Sequence, residues 1–238
     1  VVNVAGTHSG PFFGVEATKK PVGFVGVRVV KFNAAGTQMT FDRHTADIGA
    51  VLSQIGASPA PARPVPDVSR PEPEVVVAKN DEAETKNLEV VKQVCATFNA
   101  HDVAGSGALV AEDFVMHDMT SPDDMKGRAA YEGLLKELFV ALPDKTGTCT
   151  AWSAGDYVVN DVDWTATNKG DFPSMKLKAT GKSLKIHDSE IYRLKEGKVV
   201  EYWRFSNGLA FAMQLGLVPP PAGAKNPEPP PADEKKTP

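Results

Sequence analysis

Three acidic residues stand in otherwise strand-like sequence near the end of the chain. In the stretch 185–203, KIHDSEIYRLKEGKVVEYW, apolar and polar side chains alternate on both sides of a Lys-Glu-Gly turn. Because successive residues of a strand point to opposite faces of a sheet, the more apolar set predicts the buried face. The set is Leu184, Ile186, Asp188, Glu190, Tyr192 and Leu194 on the first strand, and Val199, Glu201, Trp203 and Phe205 on the second.

Carboxylates on an apolar wall could exchange protons with a substrate. Burial raises the pKa of a carboxyl group, and two neighbouring carboxyls keep one of them protonated. Such a pair can take a proton from a carbon next to a carbonyl group and donate one to the developing oxyanion. We therefore predict Glu201 and Glu190 as catalytic. Aromatic side chains would hold a flat substrate, and the predicted substrate-binding residues are Trp203, Tyr192, Trp164, Tyr131 and Asp188.

Most candidates have a structural alternative. Glu201 could form a salt bridge at the mouth of the pocket, and Asp188 could lie at a bulge or an exposed strand edge. Trp203 could be plain core. His187, on the opposite face, is expected at the surface or in a subunit interface. The acids and histidines lack the close His spacing of metal sites, so no metal is predicted.

The elements that would position these residues follow from hydrophobic spacing. Apolar residues recur at helical spacing over 88–98 and 131–142, and a short strand is predicted at 113–118 between them. A last helix is predicted over 209–215. Helices followed by an antiparallel sheet indicate an α+β fold, with a curved sheet wrapped around helices to form a conical pocket. The remaining strands are predicted at about 146–153, 156–167, 182–194 and 198–206.

Composition excludes several classes of function. The formal net charge is −4 and no Lys/Arg-rich run occurs, so nucleic-acid binding is not expected. No apolar run approaches the roughly 18 residues of a membrane span.

Cys95 and Cys149 fall in a predicted helix and a predicted strand, and we expect two ordinary thiols. The sequence starts at Val1, so we expect the natural N-terminus to be missing; bacterial cytoplasm, periplasm and cell envelope all stay open.

Two segments rich in Pro, Ala and charge divide the chain. Such composition cannot bury enough apolar surface to offset chain entropy. We therefore predict a linker at 57–82 and a disordered tail at 218–238, which flank a complete unit at 83–217 and leave a strand-rich segment at 1–56.

The segment 1–56 resembles the second half of the complete unit. Residues 7–12 align with 167–172, 29–32 with 191–194, and 54–56 with 214–216. We interpret this order as a tandem duplication whose first copy lacks its helices; generic strand-turn-strand similarity is the alternative. We expect the two sheets to pack as an intra-chain pseudo-dimer, or the chain to form a homo-dimer through the sheet.

The first copy lacks the interior acids. A structural role for them would be expected to persist in both copies, whereas a catalytic role need persist in only one, so the comparison favours function. The positions of Asp188, Glu190, Glu201 and Trp203 align with Gly26, Arg28, Thr40 and Asp42, respectively.

These motifs resemble the SnoaL-like polyketide cyclase, or ester cyclase, family. The resemblance rests on FVMHD at 114–118, IYR at 191–193 with GKVVEYW at 197–203, and QLG at 214–216, together with THSGPFFG at 7–14. It implies the α+β cone shared with nuclear transport factor two and ketosteroid isomerase. It also implies cofactor-free acid/base chemistry, such as aldol ring closure of a polyketide ester.

The resemblance adds two site residues. His117 and Asp118 match the family's His-Asp position and would complete the catalytic set from the helical side, although His117 could instead be a hydrogen-bonded residue at a strand end. Glu190 falls where the family often has an acid.

Three functions stay open on the sequence alone. The first is a cofactor-free acid/base enzyme acting on a small carbonyl-containing or polyketide-like molecule. The second is a non-catalytic module that binds a hydrophobic small ligand, and the third is an envelope-tethered interaction domain. A pure binding pocket does not need several desolvated carboxylates, which are costly to bury, and this favours the enzyme.

Overall fold

The strands of the protein form two separate sheets. A computed structural model describes residues 1–69 and 72–218 of the 238-residue chain; the predicted tail, 218–238, lies outside them except for its first residue. The sheet orders are β1-β2-β3 and β5-β4-β9-β8-β7-β6. In chain order the elements are β1 (Val2–Thr7), β2 (Pro21–Phe32), β3 (Met39–Ala46), α1 (Ile48–Ile55), α2 (Glu82–Asn99), α3 (Val103–Ala108), β4 (Val110–Asp118), β5 (Met125–Lys126), α4 (Arg128–Ala141), β6 (Thr146–Ala154), β7 (Tyr157–Thr167), β8 (Ser183–Lys195), β9 (Lys198–Phe205) and α5 (Gly208–Gln214).

The six-stranded sheet and the helices α2 to α4 form one α+β unit. Neighbouring strands of this sheet are antiparallel except β4 and β9, which run parallel. Helix α2 packs on β6, and α4 packs on β4. The predicted α+β arrangement is confirmed, and the bounds of β6 to β9 and α5 agree with the prediction to within one residue.

Apolar side chains on the inner face of the sheet hold the helices in place. Fully buried Val91, Leu135 and Val158 join α2, α4 and β7 in one cluster, and Trp164 and Leu215 belong to a second cluster towards α5. Removing each large side chain from water contributes about 1.5–3 kcal/mol. The inner face is therefore closed by the helices, and polar groups on it are desolvated.

A disulfide bond ties α2 to the sheet. Cys95 on α2 and Cys149 on β6 are bonded, with their Cα atoms 6.6 Å apart. The prediction of two ordinary thiols was wrong. Hydrophobic spacing assigns each cysteine to an element but does not show that α2 lies directly on β6, which is what brings the two residues together.

The N-terminal unit, β1 to α1, has the element order of β7, β8, β9 and α5. Gln54 on α1 hydrogen-bonds the backbone N and O of Gly23, both at 2.9 Å. Gln214 on α5 bonds the backbone of Lys185 in the same way, at 2.7 and 3.0 Å. Gly23 and Lys185 are aligned in the predicted repeat. The same side-chain contact thus recurs at aligned positions.

Both hairpins also contain a bulge at the same place. The register shifts between Lys31 and Phe32 in the first hairpin and between Arg193 and Leu194 in the second. These registers correct the predicted alignment of the last strand by one residue. Glu201 corresponds to Phe41, and Trp203 corresponds to Arg43.

The N-terminal sheet packs on the outer face of the larger sheet. Thr45 hydrogen-bonds Ser189 (Oγ1 to Oγ, 3.2 Å), and Arg43 contacts His187 at 2.9 Å. Val27 and Phe205 are buried in one apolar cluster between the sheets. His187 thus lies in an interface within the chain.

One carboxylate lies at the start of two helices, one from each unit. Asp47 caps α1 by accepting from the N–H of Gly49 at 3.0 Å, and it also accepts from the N–H of Gly208 at the start of α5, at 3.1 Å. Burial raises the pKa of Asp47, and these backbone hydrogen bonds oppose that rise.

The predicted linker contains no helix or strand in its described part before α2. Arg63 donates to the backbone oxygens of Asp118 and Ser121 at 3.1 and 3.3 Å and forms an ion pair with Asp124. Among the described residues, no helix is long and apolar enough to cross a membrane.

Candidate functional site

The inner face of β8 carries the two acids that alternation places there. Asp188 is 3% exposed, and Tyr192 is buried beyond it. Glu190 lies between them and keeps partial accessibility. Across the sheet, Glu190 is paired with Asn160 on β7 and with Arg204 on β9, so a set of polar side chains faces the helices.

Glu190 is held by three hydrogen-bond donors. Its carboxylate accepts from the hydroxyl of Tyr192 at 2.8 Å, from the hydroxyl of Tyr202 at 2.7 Å, and from Nδ2 of Asn160 at 2.8 Å. Burial raises the pKa of Glu190, the charge of Asp188 raises it further, and the hydrogen bonds only partly oppose this. A raised pKa favours the protonated form of this carboxyl group relative to that of an exposed glutamate.

Asp188 has the opposite electrostatic setting. Its Oδ2 accepts from Nε1 of Trp164 at 2.8 Å and from Nε of Arg204 at 3.1 Å. Arg204 also pairs with Asp118 at 2.7 Å. Burial alone would raise the pKa of Asp188, but the charges of Arg204 and Lys145 outweigh it, and the pKa is lowered. The pKa values of these two neighbouring acids are therefore shifted in opposite directions.

A lysine from a loop completes the inner face. Lys145 follows α4 and is only 7% exposed. Its Nζ lies 3.1 Å from the centroid of a Trp164 ring and 5.3 Å from that of Phe98. Burial lowers the pKa of Lys145 to about 7, with Asp188 acting in the opposite direction.

Tyrosines crowd the space beside Glu190. The rings of Tyr192 and Tyr202 stack with centroids 4.7 Å apart, and buried Tyr131 on α4 packs near them. Glu190 and Arg204 nevertheless keep partial accessibility to solvent. Clefts on the surface lie outside the cone, one between the two sheets and one beside the linker.

Sequence comparison identifies the unit that contains this site. Residues 88–215, more than half of the chain, match the family model described as SnoaL-like polyketide cyclase. The chain belongs to the SnoaL-like polyketide cyclase family. No curated protein matches the sequence. Family membership supports a cofactor-free, cyclase-type function at the level of the family.

Several solved structures resemble more than half of the chain. AclR from Streptomyces galilaeus, for which a hydroxylase activity is proposed, is 25% identical with a TM-score of 0.51, over 58% of this chain and 85% of AclR. A SnoaL-like protein from Jannaschia sp. CCS1 is 19% identical with a TM-score of 0.54, over 60% of this chain and all of that one. TsrD from Streptomyces laurentii is 15% identical with a TM-score of 0.51, over 59% and 100%. The last two show the fold alone.

Within the SnoaL-like unit, Glu201 and Trp203 do not lie on the inner face. The bulge in β9 pairs Leu194 with Val199 but Arg193 with Glu201, so every residue after Val200 turns to the opposite face. Tyr202 and Arg204 take the inward positions instead. The predicted inward orientation of Glu201 and Trp203 was wrong.

Glu201 belongs to a polar cluster on the outer face. It accepts from Nε of Arg193 at 2.8 Å and contacts Nε2 of His117 at 2.9 Å. His117 also pairs with Asp124 at 2.9 Å and stacks on Trp203, with ring centroids 5.2 Å apart. Glu201 thus forms a salt bridge, as its structural alternative proposes, but on the outer face and not at the pocket mouth. His117 is a hydrogen-bonded residue near a strand end, and its predicted position on the helical side was wrong.

The remaining predicted residues lie inside the cone. Asp118, Trp164, Tyr131 and Tyr192 contribute to the inner face with Asp188 and Glu190. Sequence reasoning missed Asn160, Tyr202, Arg204 and Lys145. Asn160 has the parity of Trp164 on the same strand and could have been found. Lys145 lies in a loop, where no periodicity shows direction. Within the described residues, no group of three or more His, Cys, Asp or Glu could hold a metal ion.

Proposed function

We propose that the cone catalyses proton transfer at the α-carbon of a small carbonyl-containing molecule without a cofactor, with Glu190 carrying the proton. The supporting observation is the contrast between the two inner acids: the pKa of Glu190 is raised, whereas that of Asp188 is lowered. Titratable groups whose environments push their pKa values apart are typical of acid/base sites.

The tyrosines supply the other groups that the reaction needs. Tyr192 and Tyr202 fix the Glu190 carboxylate, which removes a proton from the substrate's α-carbon. The electron pair moves to the carbonyl oxygen, where the hydroxyl of Tyr131 can donate a hydrogen bond, since none of the described residues pairs with it. The enolate carbon then attacks a second carbonyl of the same molecule, and Glu190 returns its proton to the new alkoxide. Trp164, anchored by Asp188, forms the flat wall.

The test compares two glutamates on opposite faces of the sheet. Hydrogen–deuterium exchange at the α-carbon of an aryl ketone such as acetophenone is followed by NMR with the full chain. Glu190→Gln is expected to lower the exchange rate by about 10²–10⁴-fold, the usual contribution of a general base. Glu201→Gln, its control on the outer face, is expected to retain the rate. Equal rates for Glu190→Gln and the parent chain would remove Glu190 from the mechanism.

We also propose that residues 1–56 are a diverged copy of the half-unit and occupy the place of a second subunit. The contacts support an approximate two-fold relation. In the corrected alignment, Val27 corresponds to Ser189 and Phe205 to Thr45. Exchanging the two units therefore converts the buried pair of Val27 and Phe205 into the hydrogen-bonded pair of Ser189 and Thr45.

This arrangement predicts a monomer whose outer face is already covered. Sedimentation velocity should show one chain per particle. Val27→Asp, which buries a carboxylate between the sheets, is expected to free the N-terminal unit and increase hydrogen exchange of the β2 amides. The matched control is Val4→Asp on exposed β1. A stable homo-dimer of the parent chain, or an unaffected Val27→Asp variant, would contradict the proposal.

A further inference from the structure

Lys145 is held in the cone by hydrogen bonds of its backbone, which do not involve its side-chain amine. Its backbone N–H donates to the oxygen of Leu142 at 3.1 Å, and its own backbone oxygen contacts Nε2 of His101 at 2.8 Å. The side chain then runs inward to the face of Trp164. The position of the amine is thus set by the loop after α4 and by one aromatic ring.

The amine has charged neighbours but no direct polar partner. Among the described residues, none forms a hydrogen bond or an ion pair with Nζ; Asp188, Glu190 and Arg204 act on it only through space. A buried, unpaired ammonium is costly, and its pKa of about 7 leaves much of the amine neutral at neutral pH. A desolvated neutral lysine is the form in which this side chain acts as a nucleophile.

We propose that Lys145 is a nucleophilic residue that condenses with an aldehyde or ketone group of the substrate to form an imine. The inference rests on the proposed function, because it names the chemical class of the molecule whose α-proton Glu190 removes. It also explains why an amine without a polar partner lies on the same inner face as a carboxyl group that can carry protons.

The condensation and its reversal require only the amine of Lys145, the carboxyl group of Glu190 and water. The lone pair of Nζ attacks the carbonyl carbon, and the carbonyl oxygen takes a proton from the Glu190 carboxylic acid. The resulting carbinolamine, protonated on nitrogen, loses its hydroxyl group with one of the two nitrogen protons as a water molecule and leaves the protonated imine. The positive charge of this imine acidifies the α-carbon, and the Glu190 carboxylate removes the α-proton to give an enamine. After carbon–carbon bond formation, addition of water releases the product and the free amine.

The alternative role is structural, with the ammonium resting on Trp164 as a cation–π contact. A purely structural lysine would stabilise the fold without reacting faster than exposed lysines. Rate and site of modification therefore separate the two roles, whereas loss of stability on substitution does not.

Acetylacetone is a suitable probe, because it condenses with a neutral amine to a stable, ultraviolet-absorbing enaminone with loss of one water. The full chain is incubated at pH 7 and mapped by peptide mass spectrometry. We expect one adduct on Lys145, formed at least tenfold faster than on exposed Lys185 or Lys198. Lys145→Met and Lys145→Arg should both lose this adduct, and thermal melting checks that at least one of them is folded.

The outcomes distinguish this inference from the proposed function. If Glu190→Gln abolishes ketone exchange but Lys145 forms no adduct in the parent chain, or reacts no faster than exposed lysines, the imine is overturned and an enolate mechanism stands. If the adduct forms rapidly while Glu190→Gln leaves exchange unchanged, Glu190 is not the base, and Lys145 remains a reactive amine.

Discussion

The hairpins β2–β3 and β8–β9 share their bulge and their glutamine contact but differ in what lies on the inner face. In β8–β9, Asp188, Glu190 and Arg204 are covered by helices. The aligned residues of β2–β3 are Gly26, Arg28 and His44, and the side chains of Arg28 and His44 are exposed. Exposed apolar side chains also lie on this smaller sheet, including Val4, Phe32 and Met39.

The charged residues of the two hairpins differ in their burial and therefore in their pKa values. Arg28 and Asp42 form a two-pronged ion pair at 2.8 Å on the first hairpin, where both side chains are substantially exposed. Arg28 lowers the pKa of Asp42 as in any surface pair. On the second hairpin, burial raises the pKa of Glu190. The same strand position is thus ordinary surface in one unit and a proton-transfer candidate in the other, because of the helices above it.

The largest expected effect is a loss of unfolding free energy when the charge of the buried Asp188 is removed, compared with removal of an exposed charge on the first hairpin. Asp188→Asn leaves Arg204, whose side chain is 24% exposed, with only Asp118 as an ion-pair partner among the described residues. Breaking a largely buried pair typically costs about 3–5 kcal/mol of unfolding free energy. Asp42→Asn, its exposed counterpart, should leave stability almost unchanged. Urea unfolding of both variants measures the difference. Similar losses of unfolding free energy in the two variants would show that burial under the helices does not determine the cost of removing the charge.

A smaller effect is expected when the cover is loosened. The variant Cys95→Ser/Cys149→Ser releases α2 from β6 and should lower the free energy of unfolding by about 2–4 kcal/mol. Water that enters beneath α2 should also bring the pKa of Glu190 down towards its ordinary value, measurable by carboxyl-carbon NMR titration. Cys95→Ala/Cys149→Ala controls for the introduced hydroxyls. An unchanged Glu190 titration would mean that α2 is not what desolvates it.

The smallest effect is the pH dependence of stability. A carboxyl group whose pKa is higher in the folded than in the unfolded state contributes stability that is complete below the unfolded value, about 4.3 for Glu. That contribution is lost as pH rises through the folded pKa, by about 1.4 kcal/mol for each tenfold difference in proton affinity. Glu190→Gln should therefore flatten the decline in stability above about pH 4.3, as urea titrations at several pH values would show. Arg28→Gln, at the aligned position, should not.

Most of the fold follows from patterns in the sequence, and so does half of the inner face. Alternation along β8 correctly orients Asp188, Glu190 and Tyr192, because that strand is regular up to Arg193. Helical spacing likewise places Tyr131 under the sheet. These residues follow the period of a regular element, and burial patterns report that period directly.

The failures share a local cause. One additional residue at the start of β9 reverses the parity of Glu201 and Trp203, and a bulge of this kind leaves no mark in hydrophobic spacing. Lys145 and the Cys95–Cys149 bond depend on which elements pack together, which periodicity does not contain. The resemblance to the SnoaL-like family supplied the cone but not the direction of each side chain.

The carboxylate of Asp47 shows what joining the two units in one chain permits. In a symmetric dimer of identical chains, a substitution appears on both sides of the axis and must suit both. Here the aligned residue, Asn207, caps only α5, through the N–H of Ala210 at 2.9 Å, while Asp47 serves both helices. If the units are copies, their fusion in one chain allowed Asp47 to hold both helices while the other unit kept the candidate site, an asymmetry that a symmetric pair of identical chains cannot have.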